Sequence, residues 1–433
     1  MSAPQSWHDK SNNGCDHTTH APDKPCDTVQ DRPGHELADI FRQYGEEYRR
    51  THKLTAEQKK AMHDIEFCRT HVFGHHVDEC DVCGHLEKGF NSCRNRNCPK
   101  CQSGVQMQWV EDRLDQLLPV PYYHIVFTLP NLIFLIAIYN QKLVYDLLFA
   151  SVAATLKVFG LDPTWLGADI GFTAVLHTWG QTLVHHPHIH IIIPAGGLNA
   201  EGKWVAAPYG ERFLFPKNAL ADVFQGKFVA GLKKLYYGGE LELPGDLGER
   251  FADVDAFEGW INTLVADRWI VFIQSPMIGP EAVVRYLGRY THRTAISNRR
   301  ILSIDNGQIS FSYKDYADRQ TGSGQPKQKV MTLSADEFIT RFLYHIPPKG
   351  YHRIRHYGFL ANGQAEKKLA NIREQVGAPL PTQLSEGSET VTGAEAHRAI
   401  CPHCGQGRMI PILIVHPWGT IVPANSQAGV NSS

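Results

Sequence analysis

The chain has 433 residues, of which 42% are hydrophobic and 10% aromatic, and its formal net charge is −1. This length is enough for two or three domains with at least one large core, and the near-neutral charge gives no global basicity that would indicate a polyanionic partner. The polar N-terminus contains no secretory signal, and the most apolar stretch, residues 125–139, is too short to span a membrane and contains Pro130. We therefore expect a cytoplasmic protein whose ten cysteines are reduced and serve as metal ligands.

The first predicted elements are two helices that lead into a cysteine-rich segment. Residues 1–34 are polar and predicted to be disordered. One helix is predicted at 36–50, and a second begins after Thr55, which is a good N-cap residue. With the cysteines that follow, they form a predicted zinc-binding domain over residues 35–110.

The cysteine-rich segment contains two CxxC motifs separated by 14 residues. Four thiolates at about 2.3 Å complete a tetrahedron around zinc. We therefore predict one zinc site formed by Cys80, Cys83, Cys98 and Cys101. The candidates for a second site are Cys68, His76 and Cys93, with one ligand left open. The alternative for Cys68 and Cys93 is that they are small buried apolar residues.

Two further features accompany these motifs. The cysteine-containing loop at 92–101, which we call the knuckle, carries Arg94, Arg96 and Lys100. These cations are well placed to contact phosphates. A late pair, Cys401 and Cys404, has no second CxxC downstream. It could recruit nearby histidines or ligands from elsewhere in the fold.

Strands interleaved with helices follow over residues 118–370. Strands are predicted at 124–129, 169–179 and 269–274, with another around His188, and helices at 141–159, 257–267 and 281–293. A hairpin is predicted at 300–313, with its turn at the Asp-Asn-Gly sequence 305–307. Antiparallel strands mixed with helices indicate an α+β domain. A linker is predicted at 371–397, followed by a C-terminal CxxC segment and tail at 398–433.

The sequence HHPHIHIIIP, residues 185–194, indicates a strand that begins with histidines. Side chains alternate along a strand, so His188 and His190 share one face while Ile189 and Ile191 share the other. Two imidazoles about 6–7 Å apart on one face can hold a divalent metal, although they could also be polar residues on a solvated face.

A metal at this position needs a third protein ligand. His177 lies on the preceding predicted strand and is the first candidate. Gln181 and His185 are the next candidates.

A pair of tyrosines provides a candidate nucleophile. Tyr286 and Tyr290 are four residues apart on a predicted helix, beside a row formed by Arg285, Arg289 and Arg293. Both tyrosines could be core aromatics. Burying two phenols beside three guanidiniums is costly, however, unless an anion meets them.

The segment that contains both tyrosines, residues 281–370, is also rich in positive charge. Residues 281–370 contain 15 Lys or Arg against 7 Asp or Glu, an excess of 8 positive charges that indicates a polyanion site or else a solvated surface. A metal held by histidines can polarise a phosphodiester that a tyrosine oxygen attacks. Tyrosine, with an ordinary pKa of about 10, needs the metal and the arginines for this reaction.

Together these residues resemble the HUH nucleases, in which a His-hydrophobic-His strand faces a helix that bears a catalytic tyrosine. More specifically, the chain resembles the two-tyrosine rolling-circle transposases of bacterial insertion sequences, the insertion-sequence-ninety-one family. The stretches that carry the resemblance are CRTHVFGHHVDECDVCGH, NSCRNRNCPKCQ, TWGQTLVHHPHIHIIIPAGG and YLGRYTHRTAISNRR. The resemblance extends from about residue 37 to residue 360 and includes the late CPHCG.

The resemblance implies that the N-terminal zinc-binding domain, residues 35–110, recognises DNA and that an HUH-nuclease-like antiparallel sheet with packed helices follows it. It implies an enzyme that nicks and rejoins single-stranded DNA at element ends through a 5′-phosphotyrosine intermediate. The nucleophiles would be Tyr286 and Tyr290, and His188 and His190 would bind the catalytic Mg²⁺ or Mn²⁺, beside structural Zn²⁺. The expected partner is DNA, chiefly single-stranded element ends and target, and no membrane.

Three alternatives compete with the transposase. They are a replication initiator or relaxase that uses the same site, a non-catalytic zinc-dependent DNA-binding protein, and a zinc hydrolase whose tyrosines are structural. The zinc cluster and the tyrosine pair in one chain favour the transposase. The order in which the tyrosines act, the number of zinc ions and the oligomeric state stay open.

Overall fold

The computed structural model describes residues 34–102, 117–208, 214–277, 283, 293–320, 324–361, 363, 365–377 and 399–424. The chain divides into two compact units. The sheet unit comprises Val120–Gly279 and Arg299–Lys368, and the cysteine unit comprises His35–Pro119, Pro280–Asn298 and Leu369–Ser433. Four predicted site residues lie outside the described residues: Arg285, Tyr286, Arg289 and Tyr290. The segment predicted to be disordered is described only at Gly34.

The described residues combine helices with antiparallel sheets, which confirms the predicted α+β class. The helices are α1 (Leu37–Thr51), α2 (Ala56–Glu66), α3 (Phe134–Tyr139), α4 (Gln141–Leu161), α5 (Lys217–Tyr237), α6 (Asp246–Arg250), α7 (Val254–Leu264), α8 (Ala335–Leu343) and α9 (Ala365–Gln375). The strands are β1 (His75–Cys80), β2 (Leu86–Phe90), β3 (Tyr122–Thr128), β4 (Phe172–Trp179), β5 (His185–Pro194), β6 (Gly196–Leu198), β7 (Trp204–Ala206), β8 (Val271–Met277), β9 (Ile301–Asp305), β10 (Gln308–Arg319), β11 (Pro326–Ser334), β12 (Ile354–Tyr357), β13 (Met409–Val415) and β14 (Ile421–Pro423).

The cysteine unit begins with α1 and α2, which pack together. Helix α1 buries Leu37, Ile40 and Phe41 on one face, so its apolar stripe lies where the 3.6-residue period places it. Thr55 is the N-cap residue of α2, and its side chain accepts a hydrogen bond from the Gln58 backbone N–H at 3.2 Å in a capping box. Both predicted helices are therefore confirmed.

A four-stranded antiparallel sheet of order β14-β13-β1-β2 completes the cysteine unit. Strand β13 pairs with β1 from His75↔Val415 to Cys80↔Met409. The C-terminal segment, which the sequence indicates only as a CxxC and a tail, therefore provides two strands of the sheet that contains Cys80.

The sheet unit is built on a five-stranded antiparallel sheet of order β12-β4-β5-β3-β8. Its core face presents Ile189, Ile191 and Ile193, all 0% exposed, to a large apolar cluster that includes residues of α4 and α5. The predicted alternation in the β5 segment is confirmed, because the isoleucines face this core and the histidines at 188 and 190 face the other way.

Helix α4 is, among the residues that the structure describes, the one helix long and apolar enough to cross a membrane. The most apolar part of α4 is 56% buried, and a helix in the core of a soluble protein can have the same length and composition. Val144, Tyr145 and Leu148 of α4 all belong to the core cluster.

The predicted hairpin is present as β9 and β10. Its turn residues Asn306 and Gly307 have φ values of 48° and 75°, the left-handed conformation that two-residue hairpin turns require. A third strand, β11, pairs with β10 and was not predicted. Residues 371–375, within the predicted linker, form the end of α9.

Candidate metal centres

Three histidines form a cluster on the non-core face of the five-stranded sheet. His177 lies on β4, directly across from His188 on β5, and His190 follows two residues later on the same face. The ligand nitrogens of the three residues lie within 4.8 Å of one another. His177 and His190 are 4% and 5% exposed. The pairing register of β4 and β5 is therefore what brings His177 to the other two histidines.

Hydrogen bonding orients the ring of His188. Its Nδ1 lies 2.7 Å from the backbone carbonyl oxygen of His186. A carbonyl only accepts, so Nδ1 is the protonated nitrogen and Nε2 carries the lone pair. A metal-binding histidine commonly has this arrangement, in which the second ring nitrogen donates to a carbonyl.

A fourth histidine, His124 on β3, supports His190. Its Nε2 lies 2.9 Å from Nδ1 of His190, and the two rings stack with centroids 5.1 Å apart. His124 is 0% exposed. The sequence does not distinguish His124 as a site residue, because a single histidine at the start of an apolar strand forms no motif. Only the register of β3 against β5 reveals the pair.

The donor set fits a divalent metal with open coordination positions. Three imidazoles approach from one face, and the ligand atom of His188 is set by its hydrogen bond to a carbonyl. Imidazole suits Zn²⁺ and later transition metals better than Mg²⁺, which prefers oxygen ligands. On the remaining side, oxygen atoms of water or a phosphate would complete the coordination.

Two other candidates for the third ligand lie outside this cluster. His185 is on the opposite face of β5, where its Nε2 lies 2.7 Å from the hydroxyl of Tyr145. The side-chain oxygen of Gln181 accepts a hydrogen bond from the Lys314 backbone N–H at 3.4 Å. His177, the first candidate, is therefore the one that the structure places beside His188 and His190.

The first cysteine cluster contains Cys68, Cys93, Cys98 and Cys101. The Cys101 sulfur lies 3.5 Å from the sulfurs of Cys68 and Cys93. Hydrogen bonds from the other three thiols hold the pKa of Cys101 well below its ordinary value. The loop is tied to α2 because the buried Asp64 carboxylate accepts a hydrogen bond from the Asn95 side chain at 2.8 Å.

The second cysteine cluster contains Cys80, Cys83, Cys401 and Cys404. Sulfur–sulfur distances of 3.7 Å join Cys80 to Cys404 and Cys83 to Cys401. The backbone N–H of Gly407 donates to the Cys404 sulfur and is the main cause that lowers the pKa of Cys404 to about 6. All eight described cysteines fall in these two clusters.

The predicted grouping of both CxxC motifs in one site is therefore wrong. Spacing along the chain pairs Cys80 and Cys83 with Cys98 and Cys101, but strand pairing of β1 with β13 delivers a more distant CxxC instead. His76, predicted as a ligand, is in neither cluster. Its Nδ1 lies 2.9 Å from the Asn91 side-chain oxygen, and its Nε2 lies 3.8 Å from Asp78.

The predicted DNA-binding cations of the knuckle differ in their surroundings. Arg94 is exposed and has a φ of 54°. Arg96 is partly buried, which lowers its pKa. Lys100 forms an ion pair with Glu36, so part of its charge is already compensated. Arg293, the described member of the predicted arginine row, is exposed.

Comparisons with known proteins agree with this picture. Residues 171–368 match the family model described as "Putative transposase", and residues 40–129 match the model described as "Transposase zinc-binding domain". The chain is 46% identical to "Putative transposase y4qJ" of Sinorhizobium fredii (strain NBRC 101917 / NGR234) over 88% of its own length and 96% of that protein. It is 29% identical to "Transposase for insertion sequence element IS801" of Pseudomonas savastanoi pv. phaseolicola over 73% of each chain. No solved structure matches.

The matched zinc-binding domain and the two cysteine clusters support structural zinc. The other matched model begins just before β4 and covers the strands that carry the three histidines. The relative from S. fredii is similar over nearly its whole length. The chain belongs to the transposase family of the insertion sequences IS91 and IS801, a family of DNA-processing enzymes.

Proposed function

We propose that the protein nicks and rejoins single-stranded DNA at the ends of its element and so drives rolling-circle transposition. The observation that carries the proposal is the cluster of His177, His188 and His190 on one face of an antiparallel sheet, in a chain of this transposase family. Its partners are then single-stranded element ends and target DNA.

The three histidines would hold Mn²⁺ or Mg²⁺. When bound there, such an ion polarises the scissile phosphodiester. The tautomer of His188 and the hydrogen bond between His190 and His124 orient rings in advance, which supports this role.

Tyr286 and Tyr290 would be the nucleophiles, as the family resemblance implies. The phenolic oxygen of one tyrosine loses its proton and bonds to phosphorus, the bond from phosphorus to the 3′ oxygen breaks, and that oxygen takes up a proton and leaves as a 3′-hydroxyl. The 5′ phosphate stays attached to tyrosine. Arg285, Arg289 and Arg293, which are close to both tyrosines in the sequence, would stabilise the charge that develops on the phosphate. A second tyrosine allows a second strand transfer.

The cysteine unit would recognise DNA, with structural Zn²⁺ bound by its cysteines. Exposed Arg94, on the knuckle of the first cluster, is the strongest candidate for a phosphate contact. Arg96 and Lys100 would contribute less because one is partly buried and the other is paired with Glu36.

The test is a search for a covalent adduct. The purified chain is incubated with Mn²⁺ and labelled single-stranded oligonucleotides that tile both flanks of its coding sequence. We expect a product that survives denaturation, with mass spectrometry locating the DNA on Tyr286 or Tyr290. The Tyr286→Phe/Tyr290→Phe double variant should form none.

Tyr139→Phe provides a matched control, because Tyr139 is a 49% exposed tyrosine on α3. It should form the adduct at the wild-type level. An undiminished adduct in the double variant would place the nucleophile elsewhere. Cleavage of the oligonucleotides without any adduct would favour a metal-dependent hydrolase.

A further inference from the structure

We propose that Cys80, Cys83, Cys401 and Cys404 bind one Zn²⁺, and that this ion fastens the C-terminal segment, residues 399–424, to the zinc-binding domain. The matched zinc-binding model spans residues 40–129 and contains only half of this ligand set. The other half lies more than 300 residues later in the sequence.

Sulfur positions fit a tetrahedral zinc site. Zinc–sulfur bonds of about 2.3 Å at tetrahedral angles place two sulfurs about 3.8 Å apart. The distances from Cys80 to Cys404 and from Cys83 to Cys401 are both 3.7 Å. A disulfide would instead require about 2.0 Å. All four sulfurs lie within 4.8 Å of one another, so one ion can reach them all.

The two halves of the site are built alike, each from the sequence CxxCG. Gly84 and Gly405 have φ values of 69° and 66°, the left-handed conformation in which glycine closes such a turn. Each glycine N–H donates to the carbonyl of the first cysteine of its motif at 3.0 Å. Two matching knuckles that face each other are typical of a closed structural zinc site.

Backbone N–H groups also point at the sulfurs. The Cys83 N–H donates to the Cys80 sulfur at 3.4 Å, and the Gly407 N–H donates to the Cys404 sulfur at 3.3 Å. Such bonds stabilise the thiolate form, which is the form that binds a metal. Each half of the site therefore has a backbone donor directed at one of its sulfurs, which favours thiolate ligands in both halves.

The pairing of β1 with β13 brings the two CxxCG turns close together. Cys80 ends β1 opposite Met409, the first residue of β13. A Cβ atom on Gly407 would lie 2.4 Å from the Cys80 sulfur, so this position requires glycine. Beside it, the Arg408 N–H donates to the Asp81 carboxylate at 2.8 Å.

The C-terminal segment has too little core to stay folded by packing alone. Its apolar side chains include Ile412, Trp418 and Ile421, which are 40%, 74% and 61% exposed. The small buried cluster at the site consists largely of ligands, namely Cys80 and Cys401, together with Met409. Zinc binding supplies folding free energy where apolar burial does not.

A histidine near the site needs a separate test. His403 Nδ1 lies 3.9 Å from the Cys83 sulfur, and its ring stacks on His85 at 5.1 Å. Four sulfurs already complete a tetrahedron, so His403 is not required as a ligand. Replacing it should leave the zinc content unchanged.

The experiment counts zinc bound to cysteine. Zinc is released from the purified full chain with a mercurial reagent that displaces thiolate-bound metal, and it is quantified with a chromogenic chelator. We expect two equivalents from the wild type and one from either Cys401→Ser/Cys404→Ser or Cys80→Ser/Cys83→Ser. The variant with all four substitutions should also retain one, because both pairs hold the same ion. His403→Ala and Cys15→Ser/Cys26→Ser should retain two.

Several results would overturn the proposal. They are one equivalent in the wild type, two equivalents in either double variant, and none in the fourfold variant. An alkylation experiment on the wild type covers variants that fail to fold. Cys83, which is exposed, and Cys404 should resist alkylation while zinc is bound and react together once a chelator removes it. Immediate alkylation of both without chelator, or a Cys80–Cys404 disulfide, would contradict the site. Neither measurement depends on DNA cleavage.

Discussion

His190 enters the histidine cluster with one ring nitrogen already engaged, because its Nδ1 lies 2.9 Å from His124 Nε2. The partner ring is fully buried and stacked on it, with an interplanar angle of 10°. An outer hydrogen bond of this kind fixes which nitrogen faces the metal and how the ring is turned. His124 is therefore expected to act on metal binding through His190 and without touching DNA.

Replacing His124 with phenylalanine keeps an aromatic ring in the core and removes the hydrogen bond to His190. We expect the affinity for Mn²⁺ to fall by about tenfold or more, as is usual when an outer partner of a histidine ligand is removed. The measurement is a Mn²⁺ titration of the zinc-loaded full chain by electron paramagnetic resonance.

His352→Phe is the matched control, because His352 is an exposed histidine of the sheet unit. It should bind Mn²⁺ like the wild type. Wild-type affinity in a folded His124→Phe protein would show that His190 needs no support from β3.

Buried histidines also join the end of α8 to the segment between β4 and β5, the two strands that carry the three histidines of the site. His345 is 4% exposed, and its Nε2 donates to the Leu183 carbonyl at 3.1 Å while its Nδ1 lies 3.2 Å from the Thr178 hydroxyl. Its ring stacks on that of His185. Burial lowers the pKa of His345 to about 4 and places that of His185 well below its ordinary value. Both rings are therefore neutral in the folded protein.

This burial makes stability depend on pH in a definite direction. Below its ordinary pKa of about 6.5, His345 takes up a proton in the unfolded chain but not in the folded one. Its stabilising contribution is thus complete above pH 6.5 and is lost as the pH falls towards about 4. Between pH 7.5 and pH 5 we expect the free energy of unfolding to drop by about 2 kcal/mol from this residue. Urea unfolding at several pH values, followed by tryptophan fluorescence, measures the drop.

His345→Gln removes one titrating group and should make this pH dependence less steep by about the contribution of His345, although it lowers stability at pH 7.5 and leaves the contribution of His185. His352→Gln, at an exposed site, should leave the dependence as in the wild type. An equally steep dependence in His345→Gln would mean that other groups cause it.

Over the whole molecule, charge is distributed so that a neutral chain contains a strongly basic segment at 281–370. Part of that charge is compensated in the fold. Lys327, Lys329, Arg341 and Arg355 each pair with a carboxylate. The cations that would meet a polyanion are therefore fewer than the sequence alone indicates.

Affinity for single-stranded DNA should nevertheless fall steeply with salt. Removing one cation that binds a phosphate lowers the slope of log affinity against log salt by about 0.7 for single strands. We expect Arg94→Ala to reduce the slope by about that amount, because the Arg94 side chain is exposed on the zinc knuckle. The measurement is the fluorescence anisotropy of a labelled oligonucleotide over a range of about 50 to 300 mM salt, in which such slopes are well defined.

Lys157→Ala is the control, since Lys157 is exposed on α4 and lies outside the knuckle at 92–101 and the basic segment at 281–370. Its slope should equal that of the wild type. A flat salt response of the wild type, or an unchanged slope in Arg94→Ala, would exclude the predicted binding of phosphates by the knuckle.

Local patterns in the sequence were sufficient for much of this molecule. Apolar periodicity and the Thr55 cap predicted α1 and α2, and Asp305-Asn306-Gly307 predicted the hairpin turn. The alternation around His188 and His190 predicted which face each would occupy. These features depend on residues within one or two turns of each other, which is the range over which backbone preferences act.

The amino-acid sequence specifies which residue types are available as ligands: paired thiols, paired imidazoles and a candidate third histidine. Which of these residues come together depends on how the strands pair in three dimensions. The register of β3 against β5 placed His124 beside His190, and the pairing of β1 with β13 exchanged the expected partners of Cys80 and Cys83 for Cys401 and Cys404. Strand pairing joins segments that are hundreds of residues apart, and its register is set by burial and hydrogen bonding over whole strands rather than by any local motif.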